Sequence, residues 1–126
     1  MKVILSIRPE FVERIFSGVK KFEYRKVIFI RNDISTVVVY ATKPFGKVVG
    51  EFEIGGIIVN NPKELWKQTK DYSGISKTYF NEYFKGKDQG FAIKIKNFKK
   101  YDQPLDLSVY DKNIKAVPQS FCYTEV

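Results

Sequence analysis

Polar and apolar positions along the chain follow two periods in short blocks. Lys2-Val-Ile-Leu-Ser-Ile7 is apolar and β-branched, which predicts a strand. Arg8-Pro9 ends it, because proline donates no hydrogen bond and restricts the residue before it. Pro9 suits the first position of a helix reaching about Ser17. Phe11, Ile15 and Phe16 share one face of that helix, Glu10 and Arg14 are spaced to pair, and Gly18 is the expected closing residue. Phe22 to Ile30 alternates apolar and charged residues in its first half, as a half-buried strand does, and Asn32-Asp33 reads as a turn. Thr36-Val-Val-Val-Tyr-Ala41 is apolar on both faces and predicts a central strand.

Lys47 to Val59 is another β-rich run, with Gly50, Gly55 and Gly56 marking bends or bulges. Asn61-Pro62-Lys63-Glu64 has the form of a helix start, and Leu65, Trp66 and Thr69 give that helix an apolar side as far as about Asp71. A second helix is predicted from Ser76 to Lys85, closed by Gly86, with Tyr79, Phe80, Tyr83 and Phe84 on its buried face. Phe91–Ile95 is a strand, Lys96 to Leu105 continues the pattern until Pro104 breaks it, and Ser120 to Tyr123 closes the chain. The predicted order is β-α-β-β-β-α-α-β-β-β, an α+β fold. Many bent strands with glycine kinks point to a small closed or nearly closed barrel, since closure removes exposed sheet edges.

Composition narrows the chemistry. The 126 residues form one expected domain, 1–126, and 44% hydrophobic residues suffice for a core. There is no histidine and one cysteine, Cys122, so the chain holds no Ser-His-Asp or Cys-His set, no His/Cys zinc site and no internal disulfide. No metal or cofactor is expected. A single free cysteine fits a reducing cytosol. The N-terminus lacks the pattern of a targeting signal, and no apolar run is long enough to span a membrane, so the expectation is a cytoplasmic protein with no membrane partner. Lysine and arginine number 22 against 14 acids, a formal charge of +8, which bears on partners rather than fold.

The densest chemistry follows the first helix, in Gly18-Val-Lys20-Lys21-Phe-Glu23-Tyr-Arg25-Lys26. Glu23 and Arg25 share a strand face, and Lys20 in the connecting turn can reach it. One carboxylate flanked by two cations accepts an anion and keeps an acceptor or base; the competing reading is a solvated strand with weak surface ion pairs.

Gly18-x-Lys20-x-x-Glu23-x-Arg25 resembles the signature of the ASCH domain family, whose fold is PUA-like. The flanks resemble it too: Leu5-Ser-Ile-Arg-Pro9, Tyr40-Ala-Thr42, Val48 to Phe52, Trp66, Tyr72 to Ile75 and Pro118-Gln-Ser-Phe121. The resemblance covers nearly the whole chain and is nearest to predicted transcriptional regulators with PUA-like domains. It implies a small mixed barrel of about five to six strands with two to three short helices. It also implies a cleft between barrel and helices that takes RNA or a modified nucleoside. Carried over by position, Lys20, Glu23 and Arg25 line that cleft, with Ser6, Arg8, Ser120 and Phe121 as further members. A helix-turn-helix segment found in some such regulators has no room here, so DNA binding by that route is not expected. One branch resembles amidohydrolases that deacylate a modified cytidine with a Lys-Thr-Glu set. Lys20 matches the lysine, Glu23 stands where the threonine would be, and Asp71 is the nearest third member.

Positive charge concentrates in residues 18–31 and 85–100, and Lys94 and Lys96 share a strand face. Such stripes supply phosphate affinity that falls with salt. Lys21 extends the first cluster, and Tyr72 and Phe45 are the candidate exposed rings for base stacking. Three functions follow: an RNA- or nucleotide-binding module, a small metal-independent hydrolase with Lys20 and Glu23 handling the proton, or a regulator or adaptor that binds a protein partner. The missing threonine and histidine favour binding over hydrolysis.

Overall fold

The run Thr36–Ala41 lies inside the sheet, as residues apolar on both faces require. The computed structural model describes residues 1–126 and is α+β. In chain order it contains β1 (Lys2–Ile7), α1 (Pro9–Phe16), β2 (Phe22–Arg25), β3 (Thr36–Ala41), β4 (Lys47–Asn60), α2 (Pro62–Thr69), a 3-10 turn (Lys70–Tyr72), α3 (Lys77–Tyr83), β5 (Gly90–Leu105), α4 (Leu107–Tyr110) and β6 (Phe121–Thr124). The six strands form one sheet in the order β2-β5-β4-β3-β1-β6. β1 and β3 are parallel, with α1 and β2 in the connection between them; the other neighbours are antiparallel.

The barrel expectation is met approximately. β2 and β6 are the outer strands and do not pair with each other. The Arg25 guanidinium at the end of β2 instead donates through Nη2 to Ser120 O and Ser120 Oγ, both at 2.9 Å, just before β6. A side chain, not a ladder, ties the two edges.

Three apolar clusters hold the fold. The largest packs Val12 and Ile15 of α1 onto Val3, Leu5, Ile7, Val37, Val39, Phe52 and Ile93. A second, on the opposite face, joins Ile4, Val38, Tyr40 and Val48 to Leu107 of α4. The third seats α2 and α3 on the sheet through Leu65, Phe80 and Phe84 against Tyr24 and Ala92. Gly50 admits the Phe16 ring so closely that an added Cβ would meet it at 2.5 Å.

Several elements depart from the sequence expectations. β2 stops at Arg25, because Phe29 leaves the ladder and enters the core against Phe121, with ring centroids 6.1 Å apart. β5 runs unbroken through Pro104, which falls in an irregular stretch between the Lys100 and Leu105 pairings, where no ladder N–H is needed. α4 spans only four residues, too few to show a helical period. Glu10 and Arg14 do not pair: Glu10 takes Arg8 at 3.0 Å, and Arg14 donates to Gly74 O at 2.8 Å.

Candidate functional site

The Gly18–Arg25 segment builds the floor of the site. Gly18, at φ +84°, ends α1 and turns the chain so that Lys20 points inward. β2 is short, and its alternation separates two faces. Phe22 and Tyr24 turn toward α2 and α3, while Glu23 and Arg25 take the face they share with Ile93 in the ladder. All three charged residues are buried: Lys20 is 1%, Glu23 6% and Arg25 8% exposed. The solvated-strand reading is therefore replaced by a charged cluster inside the protein.

Lys20 Nζ donates to Ser73 O at 2.8 Å and lies 3.9 Å from Glu23 Oε1. Its ammonium also sits over the rings of Tyr24, at 4.8 Å, and Phe11, at 5.4 Å. Its seat exists because residue 74 is glycine. Gly74 has φ +67°, and a Cβ there would lie 2.4 Å from that of Lys20. Burial pushes the Lys20 ammonium down to about 8; Glu23 opposes this and Arg14 adds to it. The Tyr24 hydroxyl, 2.7 Å from Thr69 Oγ1, is pushed up by burial to about 12 and stays neutral.

Arg25 is bound to protein on both terminal nitrogens. Nη1 donates to Glu23 Oε2 at 3.2 Å and Ser6 O at 3.3 Å, and Nη2 donates to Ser120 as above. It holds the carboxylate in place and closes the edge of the sheet. Glu23 Oε1, in contrast, accepts no hydrogen bond from the protein and faces the cleft. Above this floor opens a cleft of about 550 Å³, with Glu23 its only acidic residue. One wall carries Tyr79 and Tyr83 of α3, whose rings stack 13° from parallel at 6.3 Å. The other carries Ile7, Thr42, Gln119 and Ser120. Two cations flank the tyrosines: Arg8 lies 5.5 Å over Tyr79, and Lys26 Nζ lies 4.6 Å over Tyr83.

Of the residues singled out from sequence, Ser6, Arg8, Lys20, Glu23, Arg25 and Ser120 line this cleft. Phe121 does not; its ring packs against Phe29 and Tyr123 in the core. Lys21 and Tyr72 lie outside it and touch each other, with Lys21 Nζ 4.5 Å over the Tyr72 ring. Asp71 is exposed on the 3-10 turn and is not part of the cleft. Tyr79, Tyr83, Lys26 and Thr42 were not anticipated as site residues. A signal for the tyrosines was present. Four aromatics sit at 79, 80, 83 and 84; the two phenylalanines are core, and the two with a polar tip face the cleft.

A curled mixed sheet, flanking helices and a polar cleft at their junction define a PUA-like fold of the ASCH type. The crystal structure of ASCH from Zymomonas mobilis superposes with a TM-score of 0.88 at 24% identity, covering 98% of this chain and 87% of that one. The chain belongs to the family described as Domain of unknown function (DUF365), whose model matches residues 1–115. Among curated relatives, the ASCH domain-containing ribonuclease of Z. mobilis is 26% identical over 97% of this chain and 83% of its own length. The large ribosomal subunit protein uL22 of Ureaplasma parvum is 33% identical over 96% of this chain. The ATP synthase subunit alpha of the same species is 31% identical over a similar share. This chain spans 38% and 15% of those two proteins. No helix is long and apolar enough to cross a membrane.

Proposed function

We propose that the cleft binds RNA through one nucleotide, with the base on the Glu23–Lys20 floor and the phosphates at Arg8 and Lys26. The observation that carries this is the open valence of a buried charged pair. Glu23 Oε1 accepts nothing, and Lys20 Nζ makes one hydrogen bond where an ammonium has three N–H groups. A base edge offers donors and acceptors side by side and fits such an acceptor and donor. The Tyr79–Tyr83 wall gives the base a surface to lie against. Arg8, which also pairs with Glu10 at 3.0 Å, and Lys26 are the exposed cations on the cleft and are assigned to the phosphates, whereas Arg25 is spent on Glu23, Ser6 and Ser120. The name of one relative, an ASCH domain-containing ribonuclease matched over 83% of its length, supports an RNA partner. A regulatory role follows if the RNA bound is a regulated one.

The test is fluorescence anisotropy with single-stranded RNA and with mononucleotides, on the wild type, Lys20→Met and an Arg8→Gln/Lys26→Gln double variant. Wild-type binding that Lys20→Met abolishes, and that the double variant weakens with a flatter salt dependence, is expected. Absence of RNA and nucleotide binding by the folded wild type, or binding untouched by Lys20→Met, overturns the reading.

A second reading is hydrolysis in the same cleft, favoured by the depressed Lys20 ammonium. A lysine near 8 supplies both ammonium and some free amine at neutral pH, which suits proton transfer. Incubation with single-stranded RNA and with acylated cytidines, followed by product chromatography, decides it. No product, or product that survives Lys20→Met, removes the reading.

A further inference from the structure

Lys21 and Tyr72, two of the predicted site residues that fall outside the cleft, belong to a second surface behind its floor. We propose that this surface carries the single-stranded RNA flanking the nucleotide held in the cleft; the inference rests on the RNA reading of the cleft and extends it. Lys20 and Lys21 are consecutive, as are Tyr72 and Ser73, and these two pairs form a shared wall. Lys20 Nζ bonds Ser73 O on the cleft side, while Lys21 N bonds Tyr72 O at 2.9 Å. Lys21 O accepts from Ile95 N at 2.9 Å, which brings β5 against the same spot. There Lys94 stands opposite Phe22 in the ladder, and the Lys94 and Lys96 stems run together beside Gly55, where an added Cβ would meet them at 3.3 and 3.5 Å. Lys94 and Lys96 flank Ile95, the residue bonded to Lys21, so their backbone lies next to the spot that Lys21 and Tyr72 border.

The chemistry of this face fits a single strand. Lys21, Lys70, Lys94 and Lys96 are exposed and none is ion-paired. Asp71 is exposed on the turn, and Glu53, opposite Lys96 in the ladder, accepts from Asn97 Nδ2 at 2.7 Å. Tyr72 is 52% exposed and held by the Lys21 ammonium over one face. Unpaired lysines around an exposed ring are what non-specific single-strand binding uses: charge along the backbone and a π-face for one base. A duplex offers no free base to Tyr72.

The experiment compares a mononucleotide with a single-stranded oligonucleotide of about 12 residues, long enough to leave the cleft. The proteins are the wild type, Tyr72→Ala and Lys94→Gln/Lys96→Gln, each checked for fold by near-UV circular dichroism. Tyr72→Ala is expected to weaken the oligonucleotide about tenfold. The double variant should flatten the slope of log affinity against log salt by about 1.4. Mononucleotide binding should not change in either. If the wild type binds the oligonucleotide and both variants match it, the second surface is overturned and the cleft reading stands. If both variants lose mononucleotide binding as well, these residues act on the cleft and the second surface is again overturned. No oligonucleotide binding by the wild type removes both.

Discussion

Two buried polar clusters flank the inner strands, and they are finished differently. At the far end of the sheet, Asp111 Oδ2 accepts from the Thr124 hydroxyl at 2.7 Å, Asp111 Oδ1 accepts from Asn113 N at 3.0 Å, and Thr124 Oγ1 accepts in turn from Val126 N. The Thr124 hydrogen bond is the main influence holding the Asp111 carboxyl below its ordinary value. Both carboxylate oxygens and the hydroxyl are used within the chain. In the cleft, Arg25 is similarly occupied, but Lys20 and the Oε1 of Glu23 keep valences directed at open volume. A closed polar network fixes a chain end and little else; an open one has the same burial cost with capacity left over for a ligand. The distinction between holding the fold and holding a ligand lies in those spare valences, not in burial or charge.

The largest effect expected is from breaking the closed half of the cleft cluster. Arg25→Ala strips Glu23 of its hydrogen-bonded partner, frees the Ser6 and Ser120 carbonyls and unties the two sheet edges. It should lower unfolding free energy by about 3–5 kcal/mol in urea titration. A loss under about 1 kcal/mol would mean that the edge is held by something other than this guanidinium. The open half should behave in the opposite way. Lys20→Met leaves Glu23 paired with Arg25 and removes a costly buried ammonium, so stability is expected within about 1 kcal/mol of wild type at neutral pH.

That contrast sharpens with pH. The Lys20 ammonium is lowered from 10.5 to about 8 by burial, so between those values the unfolded chain binds more protons than the folded one. Stability therefore rises with pH across that window, and below about 8 the penalty is present in full. Relative to Lys20→Met, the wild type should gain about 3 kcal/mol between pH 8 and 10.5. Parallel curves for the two proteins would show that Lys20 is not desolvated as its position requires.

Much of this was legible in the sequence, and the parts that were not have common causes. β3, α1 with its Gly18 stop, and the Asn61 cap of α2 were read correctly because period and punctuation agreed locally. The Asn61 side chain accepts from Glu64 N at 2.9 Å, as the Asn-Pro-x-Glu order implies. Alternation placed Glu23 and Arg25 on one face but could not say that this face was inside, since a charged face is ordinarily the wet one. The partners that make burial tolerable, Ser73 and Ser120, lie far away in sequence. Arg14, read as a surface pair with Glu10, instead holds Gly74 O and so the loop that seats Lys20. Long-range hydrogen bonds to backbone carry no local pattern.

The loop that seats Lys20 gives the next prediction. Gly74→Ala adds a Cβ at 2.4 Å from the Lys20 side chain and at a φ of +67°. Overpacking and the left-handed backbone should together cost about 2 kcal/mol, read by thermal or chemical unfolding. Ligand affinity should fall with it, because Lys20 must shift. Unchanged stability and affinity would mean that the 73–75 loop gives way freely and does not position the lysine.

The closed cluster separates the two regions most cleanly. Thr124→Val keeps the shape of the side chain and removes the hydroxyl that donates to Asp111 and accepts from Val126 N. Thr124 is buried, so removing the hydroxyl takes a hydrogen-bond partner from Asp111 Oδ2 and from Val126 N, and a loss of stability is expected in chemical unfolding. The Asp111 carboxyl, held low chiefly by that hydroxyl, should titrate nearer its ordinary value, which an NMR pH titration of the side-chain carboxyl reads directly. Ligand binding should not change, because none of these groups borders the cleft. If binding fell in step with the loss of stability, the chain end would be coupled to the cleft through β6 and Ser120, and the division into a closed cluster for fold and an open cluster for ligand would fail.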